Sequence, residues 1–405
     1  DPLGAADGST RPPVLLVDDS LNVFVYPPTE DNLKGVRSLT SSGDLFFYLF
    51  DKTKGSLTGY VVAPGGAEGK LVGQPRWSMV LPGASAAAAE ALGGRSPVTL
   101  ASFPSSAAVH SPVRVLGDRN VLHKYINRNL LAVGIEHPDD GEYEEASLQV
   151  LLVDTVSGKV VHSARHREAK GPLSFVMGEN WLVWHYWSPK SLTYQMAVAE
   201  LFTNTTVGAD PLSLLLGGAP DYTQRENGFD GYSAPPPHVL AQGYAFSAPV
   251  NALAVTQTIA GITPKFVLVA TAAGQFVLLD KRFLDPRRPV VSDPKKMSAA
   301  DREEGLVPYG PSLGGISPLS VASHKHTIAR PRSIVCGTTL LESTTLAVVH
   351  GLDLFMTRVA PAREFDRLNE DFNYVALVGA IILLAVATVG TEWYSTRKDL
   401  ARAWK

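Results

Sequence analysis

The stretch that decides the fold is LQVLLVDTVSGKVVHSARH, residues 148–166, in which an apolar run ends at an aspartate and a second run follows a glycine. DLFFYLFDKTKGSLTGYVV, residues 44–62, has the same form. The glycine four residues after each aspartate supplies a positive φ before the next strand. Both stretches therefore predict two antiparallel strands joined by a D-x-x-x-G turn, at residues 51–55 and 154–158.

Three further segments also pair an apolar, β-branched run with a turn and a second run: residues 13–27, 181–202 and 264–281. Convincing helical periodicity is absent from most of the first 360 residues. Repetition of small antiparallel sheets is typical of a β-propeller. The sequence thus predicts a mainly β fold, a partial β-propeller with antiparallel blades; a β-sandwich is the main alternative.

Three segments are predicted as loops from their composition. Residues 82–97 allow one short Ala-rich helix, and residues 217–237 and 285–318 are rich in Gly and Pro. The last segment is basic, and such a loop contacts acidic partners or lipid headgroups, or is simply solvated. Its basic residues are Arg287, Arg288, Lys295, Lys296 and Arg302.

A single C-terminal transmembrane α-helix is predicted at residues 372–392, because 20 residues from Phe372 carry no charge. Twenty helical residues span about 30 Å, the thickness of bilayer hydrocarbon. An acidic linker, 366–371, precedes the helix, and a short basic tail, 393–405, follows it. The positive-inside rule places this tail in the cytoplasm and residues 1–365 in the ER lumen or outside the cell. The positive flank consists of Arg397, Lys398, Arg402 and Lys405.

Aromatic residues at both ends suit the membrane interfaces: Tyr374, Trp393 and Tyr394. Five small residues fall within one narrow sector of the helix. They would let another helix approach closely, or they lie there only because Ala and Gly are common in this chain. They are Ala376, Ala380, Ala387, Gly390 and Thr391. Asn204 begins the N-x-[ST] sequon of the chain and is a glycosylation candidate on the non-cytoplasmic side.

Composition excludes some classes of function. The net charge of −3 gives no global reason to expect nucleic acid. Cys336 is the single cysteine, so neither an intrachain disulfide nor a cysteine-based zinc site is expected. The first residue is Asp1, so we interpret the sequence as a fragment or a processed chain.

Several apparent catalytic motifs lack the context that chemistry needs. The stretch 310–314 matches G-x-S-x-G, but prolines surround it where a nucleophile elbow needs a strand and a helix. The histidine pairs do not predict a metal site, since 162 and 166 share no helical face and 324 and 326 lack a third ligand. The paired carboxylates 139–140 and 303–304 are expected to be solvated. We therefore expect no enzyme, no cofactor and no metal.

Longer motifs resemble a known family. Residues 113–133, 169–187, 282–289, 303–309 and 350–374, with the ending LARAWK, are similar to subunit 1 of the ER membrane protein complex. The similarity runs in order from Pro13 to Lys405. Residues from about 170 onward resemble the domain of unknown function that ends this subunit. The loops at 82–97 and 217–237 depart from the family pattern.

The resemblance implies two lumenal β-propellers, of which most of the first is missing here, and one C-terminal transmembrane helix. It also implies an amphipathic brace helix, whose position in this sequence stays open. The family's complex inserts tail-anchored proteins and parts of multipass proteins into the ER membrane, with subunit 1 as its lumenal scaffold. The implied partners are the other subunits, the bilayer and, indirectly, client transmembrane segments.

The rival hypotheses are a quinoprotein-type propeller enzyme, a single-pass stress receptor and a cell-surface adhesion module. The enzyme would need regularly placed tryptophans, and only six occur. About a dozen residues follow the span, too few for a folded signalling domain. The expected function is thus a non-catalytic scaffold and anchor subunit, with a single-pass receptor or adhesion module as the alternative.

Overall fold

The computed structural model describes residues 13–65, 70–84, 86–104, 107–138, 146–207, 231–291, 293–313, 318–362 and 373–404. The chain divides into two compact units, Asp1–Pro361 and Ala362–Lys405. The predicted linker at 366–371 lies outside the described residues, as do most of the loop at 217–237 and the carboxylates at 139–140.

The described part of the first unit is built almost entirely of strands. In chain order these are β1 (Val14–Val17), β2 (Asn22–Tyr26), β3 (Phe46–Asp51), β4 (Ser56–Pro64), β5 (Leu71–Val80), β6 (Val98–Ser102), β7 (Val113–Val115), β8 (Val121–Lys124), β9 (Leu130–His137), β10 (Ser147–Asp154), β11 (Val160–Arg167), β12 (Lys170–Met177), β13 (Trp181–Ser188), β14 (Thr193–Val207), β15 (His238–Phe246), β16 (Val250–Val255), β17 (Phe266–Thr271), β18 (Phe276–Asp280), β19 (Ser333–Thr338), β20 (Thr345–His350) and β21 (Leu354–Val359). The α-helices of this unit are α1 (Glu30–Ser42), α2 (Ala86–Ala91) and α3 (Ala299–Glu303).

The strands form five antiparallel sheets, which follow chain order except that β7 and β8 of the third sheet lie between β6 and β9 of the second. The first has the order β1-β2-β5-β4-β3 and the second β11-β10-β9-β6. The third has the order β12-β13-β14-β8-β7, with β15 also paired to β14. The fourth is β16-β17-β18 and the fifth β19-β20-β21.

The predicted D-x-x-x-G turns are confirmed. Asp51 Oδ1 accepts hydrogen bonds from the Thr53 and Lys54 amides at 2.9 and 3.2 Å, and Gly55 follows with φ of 62°. The carboxylate of Asp154 accepts in the same way at the turn between β10 and β11, where Gly158 has φ of 72°. Because the pattern is local, the sequence predicts these two turns correctly.

Each consecutive pair of sheets shares an apolar core, which is the arrangement of propeller blades and not of a two-sheet sandwich. The predicted β-propeller class is therefore correct. Each core contains buried residues of both sheets, for example Leu57 and Ile135, Leu152 and Phe175, Met196 and Val267, and Leu268 and Val349.

Helix α1 was not predicted from the sequence. Thr29 caps its first turn, accepting from the Asn32 amide at 3.4 Å, and Gly43 ends it in the left-handed conformation. Only a short apolar strip, including Val36, packs against the first sheet. The helix thus has a narrow buried face, which is a weak periodic signal.

The loop predictions have different outcomes. The short Ala-rich helix expected within 82–97 is present as α2. The segment 285–318 contains α3 and a 3₁₀ turn at Pro294–Lys296, and its first residues are buried in the fold rather than solvated.

The second unit contains one long helix, α4 (Tyr374–Ala403), whose first turn is capped by Asn373. Its stretch Tyr374–Leu400 contains an 18-residue window with a mean hydropathy of 2.3 and is long and apolar enough to cross a membrane. The helix continues through most of the predicted basic tail.

Candidate functional site

A buried ion cluster joins the third sheet to the segment that follows β18. Arg114 of β7 donates to Asp285 Oδ2 at 2.6 Å and to Glu304 Oε1 at 3.1 Å, and lies 3.9 Å from Glu200 of β14. Arg287 also bonds Asp285 and Glu304. One guanidinium from a strand is thus held between acidic groups of three chain segments.

The cluster is deeply buried and its charges are balanced locally. The Asp285 side chain is only 4% exposed. Burial opposes ionisation of Asp285, but Arg114, Arg287 and Lys281 outweigh it and hold the pKa of the carboxyl below its usual value. Lys281 in turn bonds Glu200 and the Leu284 carbonyl, the latter at 3.2 Å. The charges therefore fix the geometry of the segment.

Arg288 extends this arrangement by holding carbonyl groups. Its guanidinium donates to the carbonyls of Phe283 at 2.7 Å and Val307 at 3.2 Å, and also to that of Pro308. It lies 5.3 Å from the ring centre of Tyr244 and also faces Tyr309. Both aromatic contacts favour a cation in that position.

Two expectations about this region are wrong. Arg287 and Arg288 are not free to contact partners, because acidic groups, carbonyls and aromatic rings occupy their guanidinium groups. Glu304 is not solvated, since it bonds Arg114 and Arg287, whereas Glu303 beside it is exposed. The remaining basic residues of the segment, Lys295, Lys296 and Arg302, are exposed.

Three of the motifs that carry the family resemblance meet in this cluster. Arg114 comes from residues 113–133, Arg287 from residues 282–289 and Glu304 from residues 303–309. Sequence reasoning missed the contact because up to 190 residues separate the partners. The only available signal was that each motif holds charged residues beside a strand or a turn.

The rejected catalytic motifs also have structural roles. Ser312 of the G-x-S-x-G match forms a parallel β-bridge with Ala245 of β15. His166 on β11 accepts from Trp184 Nε1 at 3.0 Å. His326 pairs with Asp353 at 3.0 Å. Among the described residues there is no group of three or more His, Cys, Asp or Glu side chains that could hold a metal.

His185 of β13 was not singled out by sequence reasoning. It is 1% exposed, its ring stacks on Tyr194 with centres 5.2 Å apart, and burial lowers its pKa to about 4. It is therefore neutral near pH 7 and serves as part of the core.

On helix α4 the small residues Ala376, Ala380, Ala387, Gly390 and Thr391 occupy one strip about 100° wide. Leu383 lies in the same strip, so the strip is not uniformly small. The Thr391 hydroxyl bonds the Thr388 carbonyl at 2.9 Å, which turns its polar group toward the backbone.

The remaining predicted residues of the helix are exposed. Tyr374, Trp393 and Tyr394 are each more than half exposed, and the Arg397 guanidinium lies 5.1 Å from the Trp393 ring centre. Lys398 and Arg402 follow on the same helix, whereas Lys405 is outside the described residues. The backbone of Asn204 lies in β14, but its side chain is outside the described part.

The fold and this helix define a class: a β-propeller protein with a candidate transmembrane helix. Residues 3–362 match the family described as ER membrane protein complex subunit 1, second beta-propeller. The chain belongs to this family.

Curated relatives support the same assignment. The chain is 34% identical over 393 residues to "ER membrane protein complex subunit 1" of Xenopus laevis, covering 97% of this chain and 36% of the relative. The Gallus gallus protein of the same name is 33% identical, with the same coverage. The chain thus spans about a third of these relatives' length. A solved structure, Kluyveromyces lactis Hsv2, aligns over 81% of this chain and 78% of its own, with 9% identity and a TM-score of 0.26, too low to inform the fold.

Proposed function

We propose that the chain is a non-catalytic scaffold and anchor subunit of an ER membrane protein complex, and that it supports insertion of tail-anchored and multipass proteins into the ER membrane. The observation that carries the proposal is that one chain of this family combines a β-propeller with an apolar helix, Tyr374–Leu400, long enough to cross a membrane. Its partners are then the other subunits, the bilayer and, indirectly, the client segments.

The proposed orientation places the propeller in the ER lumen and the C-terminus in the cytoplasm. It is supported by charge: Arg397, Lys398, Arg402 and Lys405 follow the apolar stretch, whereas acidic residues at 366–371 precede it. In this orientation Asn204 lies on the side where glycosylation occurs. Glu392 lies at the cytoplasmic interface, where a carboxylate remains hydrated.

The proposed mechanism gives the two units different roles. The propeller surface binds lumenal subunits, and the small-residue strip of α4 packs against membrane subunits. The assembled complex lowers the cost of moving polar client segments into hydrocarbon. That cost is about 2.5 to 3.5 kcal/mol for a central charge on insertion scales, so partial relief is sufficient to change the outcome.

The test enlarges one residue on the strip and one on the opposite face. Ala380→Leu fills the strip, whereas Ala385→Leu adds the same volume about 180° away from its first residue, Ala376. We expect Ala380→Leu to reduce recovery of co-purifying membrane subunits several-fold, because close helix packing needs small side chains. Ala385→Leu should leave recovery unchanged. Equal recovery with both variants would remove the packing role from the proposal.

A further inference from the structure

A cleft of about 260 Å³ lies beside the ion cluster, between the third sheet and the loop that leads into β17. Its lining includes Lys124, Glu179 and Trp181 together with Ile262 and Lys265. All of these residues belong to the first unit. The cleft is open to solvent at its rim, where Ile262 is 42% exposed.

The charges of the cleft are nearly balanced. Its lining holds five Lys or Arg side chains and four carboxylates. Each carboxylate has a cation of the cluster or the cleft at 3.9 Å or less. The lysines and arginines are Arg114, Lys124, Lys265, Lys281 and Arg282, and the carboxylates are Glu179, Glu200, Asp280 and Asp285. Among the residues that line the cleft, one positive charge is therefore left over.

The lysine of the lining without a direct partner is Lys265. Its ammonium makes no hydrogen bond or ion pair with any residue in the described part of the chain. The Glu179 carboxylate nearby is already paired with Lys124 at 2.5 Å. Burial lowers the pKa of Lys265, and Glu179 and Glu342 oppose that change. A half-buried ammonium without a partner is unfavourable, so the cleft favours an added anion.

The second nearby carboxylate, Glu342, is occupied by a loop. Its oxygens accept from Thr258 Oγ1 at 2.6 Å and from the amides of Ala260 and Ile262 at 2.9 and 2.7 Å. These bonds hold the pKa of Glu342 below its usual value against the effect of burial. Glu342 thus fixes the 258–263 loop, which contributes to the lining of the cleft, and it offsets the Lys265 charge without forming an ion pair with it.

We propose that this cleft binds a single carboxylate side chain from an extended segment of a partner protein, with the carboxylate on Lys265 and an adjoining apolar residue against Ile262. One lysine without a direct partner matches one carboxylate. A phosphate carries more charge and would meet the four carboxylates of the lining, so a monoanion is favoured. The volume is enough for one or two side chains and is below the range typical of small-molecule sites.

The test uses the full chain in detergent and matched peptides. The probes are N-acetyl-Leu-Glu-Leu-amide and its Gln counterpart, with inorganic phosphate as a third ligand, and binding is measured by calorimetry. We expect the Glu peptide to bind at least about tenfold more tightly than the Gln peptide, the ratio that one charge-assisted hydrogen bond supplies. Phosphate should bind more weakly than the Glu peptide.

Substitutions locate the binding. Lys265→Met should abolish the preference for the Glu peptide, whereas Lys265→Arg, which keeps the charge, should retain most of it. Lys295→Met, at an exposed lysine outside the cleft, is the matched control and should bind as the unchanged chain does. Equal binding of the two peptides to the unchanged chain, tighter binding of phosphate, or no saturable binding of any probe would each overturn the proposal. None of these results bears on the role of helix α4.

Discussion

Replacing Asp285 by Asn tests whether the buried ion cluster stabilises the propeller. The substitution preserves shape but removes a carboxylate that is 4% exposed and that accepts from Arg114 at 2.6 Å and from Arg287 at 3.2 Å. Removing one partner of a buried pair leaves uncompensated charge and costs about 3 to 5 kcal/mol. We therefore expect the free energy of unfolding to fall by about 4 kcal/mol.

The expected change in melting temperature follows from the size of the unit. At about 2.1 cal/mol/K per residue, unfolding of roughly 350 residues has an entropy of about 0.75 kcal/mol/K, so 4 kcal/mol lowers the Tm by about 5 °C. Thermal unfolding of the full chain in detergent can be followed by tryptophan fluorescence. Trp181 is a local reporter, since its ring centre lies 5.1 Å from Lys281 Nζ.

The matched control is Asp280→Asn on the same segment. Asp280 pairs with Arg282 at 2.8 Å, but the Arg282 side chain is 69% exposed. The free energy of unfolding should therefore fall by less than about 1 kcal/mol. The pKa of Asp285 is lowered in the folded state, so its contribution is complete above the usual carboxyl pKa and is lost as pH falls through the lowered value. The difference between the original chain and Asp285→Asn should thus be constant near neutral pH and shrink below about pH 4. Equal stability of the two variants would refute the reasoning.

Two further predictions concern the core. Gly158→Ala should be more destabilising than Gly43→Ala in denaturant titrations. Both glycines have positive φ, so both substitutions strain the backbone. An added Cβ at Gly158 would also lie 2.6 Å from the Trp77 ring, whereas an added Cβ at Gly43 would meet nothing within 4 Å. Equal losses of unfolding free energy in the two variants would show that backbone strain, and not the contact with Trp77, determines the effect. The pKa of His185 is lowered to about 4 in the folded chain, so its protonation favours unfolding. His185→Phe should therefore gain stability relative to the original chain as pH falls below about 6.5, by up to about 3 kcal/mol near pH 4. A pH-independent difference in urea midpoints would contradict this.

The parts of the fold that depend on neighbouring residues could be predicted from the sequence. The hairpin of β10 and β11 follows from alternating apolar runs and from the glycine that Asp154 positions. The apolar helix follows from 20 consecutive uncharged residues. Helix α1 could not be predicted in the same way, because Val36 and a few neighbours form too narrow an apolar face.

The ion cluster could not be predicted because its partners are distant in sequence. Arg114 and Glu304 are 190 residues apart, and an isolated basic segment at 287–302 is indistinguishable from a solvated loop by composition. Arg287 looks like a surface charge in the sequence, but its ion pairs with Asp285 and Glu304 hold it in a buried position. The same cause conceals the cleft, since Lys265 and Lys124 come together only after the third and fourth sheets pack.

The most direct measurement of the proposed role is affinity purification of the tagged chain from detergent-solubilised membranes, with mass spectrometry of the proteins recovered. The unchanged chain should recover other subunits of the ER membrane protein complex. A version ending at residue 372, which lacks α4, should recover far less membrane-bound complex. Recovery of no such subunit by the unchanged chain, or full recovery of membrane-bound complex by the shortened one, would contradict a scaffold and anchor function.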